Sequence, residues 1–220
     1  LLLFGQLFKN VVNVPGFPTE SYLAFLAPGV IVMTSLFGAT FSGIGTLVDI
    51  DFGYLDKMLV TPVSRNAIML GRMGGDVVRI VAQVIIIVLI ALMMGEGFAT
   101  GFAGFIAAIA IVALMVIGFA GLSNIIALRV KEHQQFIMVI NFFTMPLMFL
   151  SDAMMPMEML PDWLQTVAKY NPVTYAADGI RTLMNSGFDG VVLAKSFLVL
   201  GGLALGMMGI AAILFRRRLV

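Results

Sequence analysis

Long stretches without any charged side chain constrain this chain more than any other feature of its sequence. Residues 21–48, 80–95 and 97–128 contain no Asp, Glu, Lys or Arg. A helix needs about 20 mostly apolar residues to cross the hydrocarbon core of a membrane. The chain is 60% hydrophobic and only 11% charged, whereas ordinary soluble domains carry about 25% charged residues. The sequence therefore predicts an integral membrane protein.

The apolar runs predict an all-α membrane protein that forms a single domain over residues 1–220. We expect five complete spans and, at residues 1–8, the end of a further span. The chain does not begin with Met, and we interpret it as N-terminally truncated within that first of six spans. The complete spans are predicted at residues 24–47, 76–95, 101–127, 134–151 and 192–214.

The Lys and Arg residues that flank these spans are unevenly divided between the two sides of the membrane. Nine lie on the side of the 49–75 loop, the 128–134 turn and the C-terminus, and four lie on the other side. Basic residues concentrate in cytoplasmic loops. We therefore expect the 49–75 loop in the cytoplasm and the 152–190 segment outside.

Residues 49–79 form a charged island between two apolar runs, with eight of the 25 charged side chains (13 basic and 12 acidic). Within the island we predict a short amphipathic helix at residues 51–60. Its apolar stripe would be Phe52, Leu55 and Leu59.

Turn chemistry sets the limits of this helix. Pro62 should end it, because proline lacks an N–H group and disfavours helical geometry in the residue before it. Ser64 should cap the helix that follows. Two interpretations of the short helix are open: it rests in the headgroup region of the membrane, or it docks onto a soluble partner.

The 152–190 segment is interrupted by Pro156, Pro161 and Pro172, and two short amphipathic helices fit its sequence. Neither is long enough to span a membrane. We predict that they dip into the outer leaflet and return, which is possible where protein covers the backbone; a loop on the membrane surface is the alternative. Their apolar faces would be Trp163, Leu164, Val167 and Ala168 in the first helix, and Tyr175, Ile180 and Leu183 in the second.

The residues that carry most enzyme chemistry are scarce. His133 is the only histidine and there is no cysteine, so multi-histidine and thiolate metal sites are excluded. The paired carboxylates Asp49 and Asp51 fall in a predicted loop, where solvation explains them. No glycine-rich phosphate loop is recognisable, so we expect this chain to bind no cofactor. A net charge of +1 does not favour nucleic acid as a partner.

The polar residues inside the predicted spans are uncharged, and we interpret them as hydrogen-bonding partners between helices. An ion-coupled carrier usually needs a charged or histidine side chain there, so directional transport would need energy from another protein. Two glycine pairs, 97/101 and 202/206, have the spacing that permits close helix approach. The main polar residues are Gln83, Asn124, Asn141 and Thr144.

Two motifs resemble those of the permease subunits of type-two ATP-binding-cassette (ABC) exporters, such as the daunorubicin-resistance, lipo-oligosaccharide and polysaccharide exporters. One motif is NPVTYAADGIR at residues 171–181. The resemblance covers nearly all of the chain. The family usually has Glu at the position of Asp56. The other motif, which comes earlier in the chain, comprises Gly53, Leu55, Asp56 and Leu59, then TPVSR at residues 61–65 and Leu-Gly-Arg at residues 70–72.

The resemblance implies a six-span permease that hydrolyses no ATP itself. It implies that residues 51–60 form the family's coupling helix, which contacts a cytoplasmic ABC ATPase subunit, and that residues 156–184 form outer re-entrant helices. It also implies pairing with a second permease, either a copy or a paralogue. The residues assigned to partner coupling are Phe52, Gly53, Leu55, Asp56, Leu59, Thr61, Pro62 and Arg65, and those of the outer motif are Asn171, Pro172, Tyr175, Asp178 and Arg181.

These observations predict an exporter permease in the plasma membrane of a prokaryote, with an amphipathic substrate such as a drug, a lipid or a lipid-linked glycan. A secondary carrier is disfavoured by the uncharged span interiors. A membrane-embedded enzyme is disfavoured by the single histidine and the lack of cysteine. A structural or sensor protein that shares the permease fold is the third alternative.

Overall fold

The computed structural model describes residues 21–130 and 132–217, and every regular element within these residues is helical. A 3₁₀ turn at Met157–Met159 and a π-helical turn at Thr182–Ser186 accompany the α-helices. The end of a further span predicted at residues 1–8 lies outside the described residues. The α-helices are α1 Tyr22–Thr40, α2 Gly43–Asp51, α3 Tyr54–Leu59, α4 Arg65–Met93, α5 Gly101–Ala127, α6 His133–Phe149, α7 Asp162–Ala168, α8 Pro172–Arg181 and α9 Gly190–Arg217.

Four helical segments of the described chain are long and apolar enough to cross a membrane: Tyr22–Asp51, Ala67–Met93, Gly101–Ala127 and Gly190–Leu214. They correspond to four of the five complete spans predicted from the sequence. The predicted span at residues 134–151 is the helix α6, which has 17 residues. At 1.5 Å per residue α6 is about 25 Å long, so it is shorter than the hydrocarbon core of about 30 Å.

The helix α4 begins at Arg65, well before the predicted span start at residue 76. The predicted cap is confirmed, since Ser64 Oγ accepts a hydrogen bond from Ala67 N at 3.3 Å. Arg72 therefore lies on the helix that Ser64 caps, and the 49–75 loop is helical from Arg65 onward. The charges of the island mark the end of a long helix that extends past the apolar run.

The helix of the first span is interrupted between α1 and α2. The backbone groups that the interruption leaves without helical hydrogen bonds are bonded by a side chain of α5. Ser123 Oγ accepts a hydrogen bond from Gly43 N at 2.8 Å and donates one to Thr40 O at 2.5 Å. Buried backbone groups left unpaired would destabilise the fold. A side chain at Gly43 would displace this contact, because its Cβ would lie 2.7 Å from Ser123 O.

The helix α5 is central, packing against α9, α1, α4 and α2. Its middle is fully buried at Ile111 and Met115. Close approach to α9 depends on glycines of α5, since a Cβ at Gly121 would lie 3.0 Å from Met207 Cβ. The predicted 202/206 pair does not serve this purpose, because a Cβ at either glycine would have no neighbour within 4 Å.

The predicted hydrogen bonds between spans form at one of the positions but not at another. Thr46 of α2 donates to Asn124 Oδ1 of α5, and Asn124 Nδ2 donates to Ala120 O at 2.8 Å. Thr144 instead donates to Ile140 O of its own helix at 2.8 Å. Asn124 therefore joins two helices, whereas Thr144 satisfies its hydroxyl within one helix.

Candidate functional site

The short helix of the island is shorter than predicted, because a glycine separates it from α2. Asp51 ends α2 and α3 begins at Tyr54. Between them Gly53 has φ 65°, a left-handed conformation that glycine adopts at little cost. Phe52 therefore lies in the turn before α3, and the predicted helix at residues 51–60 is wrong at its start.

The end of α3 agrees with the prediction from Pro62. The helix stops at Leu59, and Thr61 Oγ1 donates a hydrogen bond to Met58 O at 2.5 Å. Pro62 follows in an exposed turn. The backbone therefore forms a six-residue helix bounded by a left-handed glycine and a proline turn.

Four apolar side chains around α3 are exposed, and we call them the α3 patch: Phe52, Tyr54, Val60 and Val63. Phe52 is 70% exposed and Val60 is 87% exposed. Lys57 Nζ lies 5.4 Å from the centroid of the Tyr54 ring, so a cation borders the patch. The ring centroids of Phe52 and Tyr54 lie 6.3 Å apart, so these two members of the patch are neighbours, and exposed apolar side chains beside a charge are candidates for an interaction surface.

Four residues of the predicted partner-coupling set are described only by their backbone: Leu55, Asp56, Leu59 and Arg65. The first three lie within α3, and Arg65 is the first residue of α4. The coupling roles assigned to their side chains stay predictions.

Met58 attaches α3 to the helix bundle. It packs in a cluster with Ile50 of α2, Ile68 of α4, Leu214 of α9, and Leu128 next to the end of α5. Behind this contact lies a cavity of about 350 Å³. Met58 of α3 therefore packs against Leu128 in a cluster to which α2, α4 and α9 also contribute, and it lines the cavity.

The carboxylates Asp49 and Asp51 lie in the last turn of α2 and not in the predicted loop. Asp49 forms an ion pair with Arg72 of α4. Asp51 Oδ2 lies 3.5 Å from His133 Nδ1 at the start of α6. Solvation alone therefore does not explain the two acids, because each of them contacts a basic side chain from a different helix.

The motif at residues 171–181 is the second candidate site, and Asn171 joins two helices there. Its Nδ2 donates hydrogen bonds to Leu147 O at 2.7 Å and Leu150 O at 2.9 Å, at the end of α6. Its Oδ1 accepts from Val173 N at 2.9 Å and so caps α8. Pro172 is the first residue of α8, where its missing N–H leaves no hydrogen bond unmade.

Arg181 at the other end of α8 binds two acids and an aromatic ring. Its Nη1 lies 2.7 Å from Asp152 Oδ2 and 3.4 Å from Asp178 Oδ1, and its Nη2 donates to Asp152 O at 3.0 Å. The guanidinium carbon lies 4.5 Å from the ring centroid of Phe25 in α1. The side chain of Asp152 is only 3% exposed.

Sequence reasoning missed Asp152, because its partner is 29 residues away in the chain. The available signal was a single carboxylate directly after an apolar run. Tyr175 completes the motif, since its hydroxyl donates to Lys169 O at 2.8 Å and its carbonyl accepts from Ser196 Oγ of α9 at 2.7 Å. The motif thus connects α1, α6, α7, α8 and α9.

The two short helices predicted between the prolines are present as α7 and α8, with different burial. Ile180 and Leu183 are fully buried, as is Ala168 of α7. Trp163 and Val167 of α7 are exposed. The face of α8 is therefore part of the core, whereas most of α7 lies at the surface.

No group of three or more His, Cys, Asp and Glu residues that could hold a metal ion occurs within residues 21–130 and 132–217. The described side chains around α3 instead form an exposed apolar surface. Those of the 171–181 motif form polar contacts that connect helices. These arrangements suit a protein that acts by changing its conformation.

Comparison with known proteins identifies the family. The model of the family described as "ABC-2 type transporter" matches residues 1–185. The putative transport permease ycf38 of Porphyra purpurea is 36% identical over 188 residues, which are 84% of this chain and 64% of that protein. The chain thus spans just under two thirds of the length of this relative.

Two bacterial relatives cover similar shares. The daunorubicin resistance ABC transporter permease protein DrrB1 of Streptomyces coeruleorubidus is 31% identical, over 89% of this chain and 70% of its own length. The inner membrane transport permease YadH of Escherichia coli (strain K12) is 27% identical, over 90% of this chain and 76% of its own length. With four helical segments long and apolar enough to cross a membrane and this family match, the chain is an integral membrane protein that belongs to the ABC-2 type transporter family of permeases.

Proposed function

We propose that this chain is the transmembrane subunit of an ABC exporter in the plasma membrane of a prokaryote. The proposed subunit has six spans, and α6 is one of them in addition to the four long helical segments. ATP is hydrolysed by a separate cytoplasmic subunit that docks on α3. The observation that carries this proposal is the α3 patch, an exposed apolar surface on a helix that contacts the bundle through Met58.

The geometry supports a conformational mechanism of coupling. A force applied to α3 reaches Leu128 next to the end of α5 through Met58, and side chains of α2, α4 and α9 pack against the same leucine. The ion pair of Asp49 with Arg72 holds α2 against α4. A docked ATPase that displaces α3 therefore moves several spans together, with the cavity behind Met58 as free volume.

The substrate that best suits the protein is amphipathic: a drug, a lipid or a lipid-linked glycan. A groove of about 710 Å³ lies between α1 and α4, with Thr34 and Gln83 among mostly apolar walls. An apolar groove with a few polar groups fits a molecule of mixed polarity. We propose that this groove belongs to the transport path and that a second permease, either a copy or a paralogue, completes it.

A substitution within the α3 patch tests the docking proposal. Phe52→Asp replaces an exposed aromatic ring in a turn, so the protein should fold and insert as before. A charge placed in the apolar contact should prevent the ATPase subunit of the same genome from co-purifying, and should abolish export. Phe52→Leu is the matched control and should retain both. If Phe52→Asp co-purifies with the ATPase and exports normally, α3 rests on lipid and the docking proposal fails.

A second experiment tests the orientation that places α3 in the cytoplasm. Ser64 and Ser186 are both exposed, and the chain contains no cysteine. Single cysteines at these positions should react with a membrane-impermeant maleimide from opposite sides of intact cells, Ser186→Cys from outside and Ser64→Cys only after permeabilisation. Labelling of Ser64→Cys from outside would contradict the orientation.

A further inference from the structure

A second groove, of about 410 Å³, lies where α7, α8 and α9 meet. It differs in chemistry from the apolar groove between α1 and α4. Two lysines, a threonine, a tyrosine, a serine and an aspartate share it with only two apolar side chains. Its lining residues are Met157, Lys169, Thr174, Tyr175, Asp178, Val192, Lys195 and Ser196.

The charges that line this groove favour an anion. Lys169 follows α7 and Lys195 lies near the start of α9, and both are exposed. The single acidic residue of the lining, Asp178, has Arg181 Nη1 at 3.4 Å. Arg181 is shared with Asp152, at 2.7 Å, so the arginine and the two lysines face two carboxylates. One positive charge is left over to attract a negatively charged ligand.

A buried hydroxyl in the groove wall also indicates a polar ligand. Thr174 is 3% exposed, and its Oγ1 has no hydrogen-bond partner within the described part of the chain. A buried hydroxyl without a partner is unfavourable. A phosphate oxygen would accept a hydrogen bond from it, as it would from the two ammonium groups.

The walls of the groove are fixed by hydrogen bonds between the three helices. Tyr175 OH donates to Lys169 O at 2.8 Å, and Ser196 Oγ donates to Tyr175 O at 2.7 Å. Gly179 lets α8 approach α9 closely, since a Cβ there would lie 2.8 Å from Ser196 Oγ. The backbone positions of the two lysines are therefore fixed relative to each other, so the site is formed before a ligand binds.

The depth of the groove distinguishes a lipid from a free anion. Lys195 lies five residues inside the span Gly190–Leu214, which is about 7.5 Å along the helix axis. Long lysine side chains at this depth reach the headgroup level. Met157 and Val192 give the groove an apolar portion, and Val191 and Leu198 are exposed on the same helix.

We propose that the groove between α7, α8 and α9 binds the phosphate headgroup of an anionic membrane lipid. Lys169, Lys195 and Thr174 contact the phosphate, and Met157 and Val192 contact the first carbons of the acyl chains. The inference rests on the proposed position of this segment at the outer membrane surface, but it requires neither ATP hydrolysis nor export.

Calorimetric titration of the purified permease in detergent tests the proposal, with dihexanoyl-phosphatidylglycerol as the probe. A basic residue near an anionic lipid surface contributes about 1 kcal/mol, which is roughly fivefold in affinity. The double variant Lys169→Gln/Lys195→Gln should therefore bind the probe about 25-fold more weakly, whereas Lys169→Arg/Lys195→Arg should retain affinity. Arg129→Gln removes one positive charge at an exposed position outside the groove and should leave the affinity unchanged.

Two competitors identify the source of the phosphate. Dihexanoyl-phosphatidylcholine should bind much more weakly, since its headgroup carries no net charge. Inorganic phosphate should not displace the probe at comparable concentration. Equal displacement by inorganic phosphate would overturn the lipid assignment in favour of a free anion. Unchanged binding by the double glutamine variant, or equal binding of both lipids, would overturn the site.

Failure of this inference is distinguishable from failure of the proposed function. Phe52→Asp should bind dihexanoyl-phosphatidylglycerol as the unmodified protein does, because α3 does not line the groove. The double glutamine variant should still co-purify with the ATPase. Loss of lipid binding in Phe52→Asp would show that the probe does not report on this groove, and would overturn the assignment.

Discussion

The two motifs of this chain are built in opposite ways. Around α3, residues 52–63 present exposed apolar side chains and contact the bundle through Met58. At residues 171–181, polar side chains connect five helices through Asn171, Tyr175 and Arg181. The first arrangement leaves apolar surface for another molecule to cover, and the second stabilises the protein itself. Motif membership therefore does not indicate by itself that a residue contacts a partner.

The strongest test of this contrast is Arg181→Met. It leaves the buried carboxylate of Asp152 without its cation, and breaking a buried ion pair in this way costs about 3–5 kcal/mol. The free energy of unfolding, measured by denaturant titration in mixed micelles, should fall by that amount.

Arg79→Met is the matched control for this prediction. Its side chain is 56% exposed, and its Nη2 lies 3.3 Å from Asp76 Oδ1, so the loss should stay below about 1 kcal/mol. Replacing both members of the buried pair, Asp152→Leu with Arg181→Met, should recover most of the stability. If Arg181→Met and Arg79→Met are equally stable, the 171–181 motif does not stabilise the fold as described.

Variants of Asn171 separate its two contacts. Asn171→Ala removes the cap of α8, worth about 1 kcal/mol, and the two hydrogen bonds to the end of α6, worth about 1 kcal/mol each. We expect a loss of about 2–3 kcal/mol in the same titration. Asn171→Asp keeps an oxygen for Val173 N but loses both donors. It should therefore be nearly as unstable as Asn171→Ala, and stability close to that of the unmodified protein would show that the cap alone matters.

Gly53→Ala should have a smaller effect, because it acts on one backbone conformation. An alanine in the left-handed region costs about 1–2 kcal/mol, so the unfolding free energy should fall by roughly that amount. Gly75→Ala is the control, in the interior of α4 where a Cβ would have no neighbour within 4 Å. It should stabilise the protein by up to about 1 kcal/mol. Equal signs for the two substitutions would contradict the geometry at Gly53.

The outcome at particular residues shows how far the sequence alone can be interpreted. Apolar run length located four spans closely, because that length is set by the membrane. It placed the start of the second span at residue 76, although α4 begins at Arg65, because charged residues end an apolar run without ending a helix. The Ser64 cap was predicted correctly, because a serine before a helical segment acts locally.

Contacts between residues that are distant in the sequence were not predictable from local sequence patterns. The pairing of Asp152 with Arg181 joins residues far apart in the chain. The glycines that allow close helix approach were assigned to 202/206, whereas Gly121 makes the contact. The spacing of apolar residues wrongly placed Phe52 on a helical stripe, because the periodicity gives no sign of the left-handed turn at Gly53.

The smallest effect on stability, and the sharpest test of the α3 patch, is expected for Val60→Ser. Val60 is the most exposed residue of the patch at 87%, so its substitution should change the unfolding free energy by less than about 0.5 kcal/mol. If the ATPase covers the patch, the lost burial should weaken binding by about 1.5 kcal/mol, which is roughly tenfold in Kd. Val191→Ser makes the same change at the start of α9, where the residue is also exposed, and should not alter the Kd. A tenfold loss for Val60→Ser alone would locate the docking surface at α3, whereas equal affinities would place it elsewhere and remove the contrast between the two motifs.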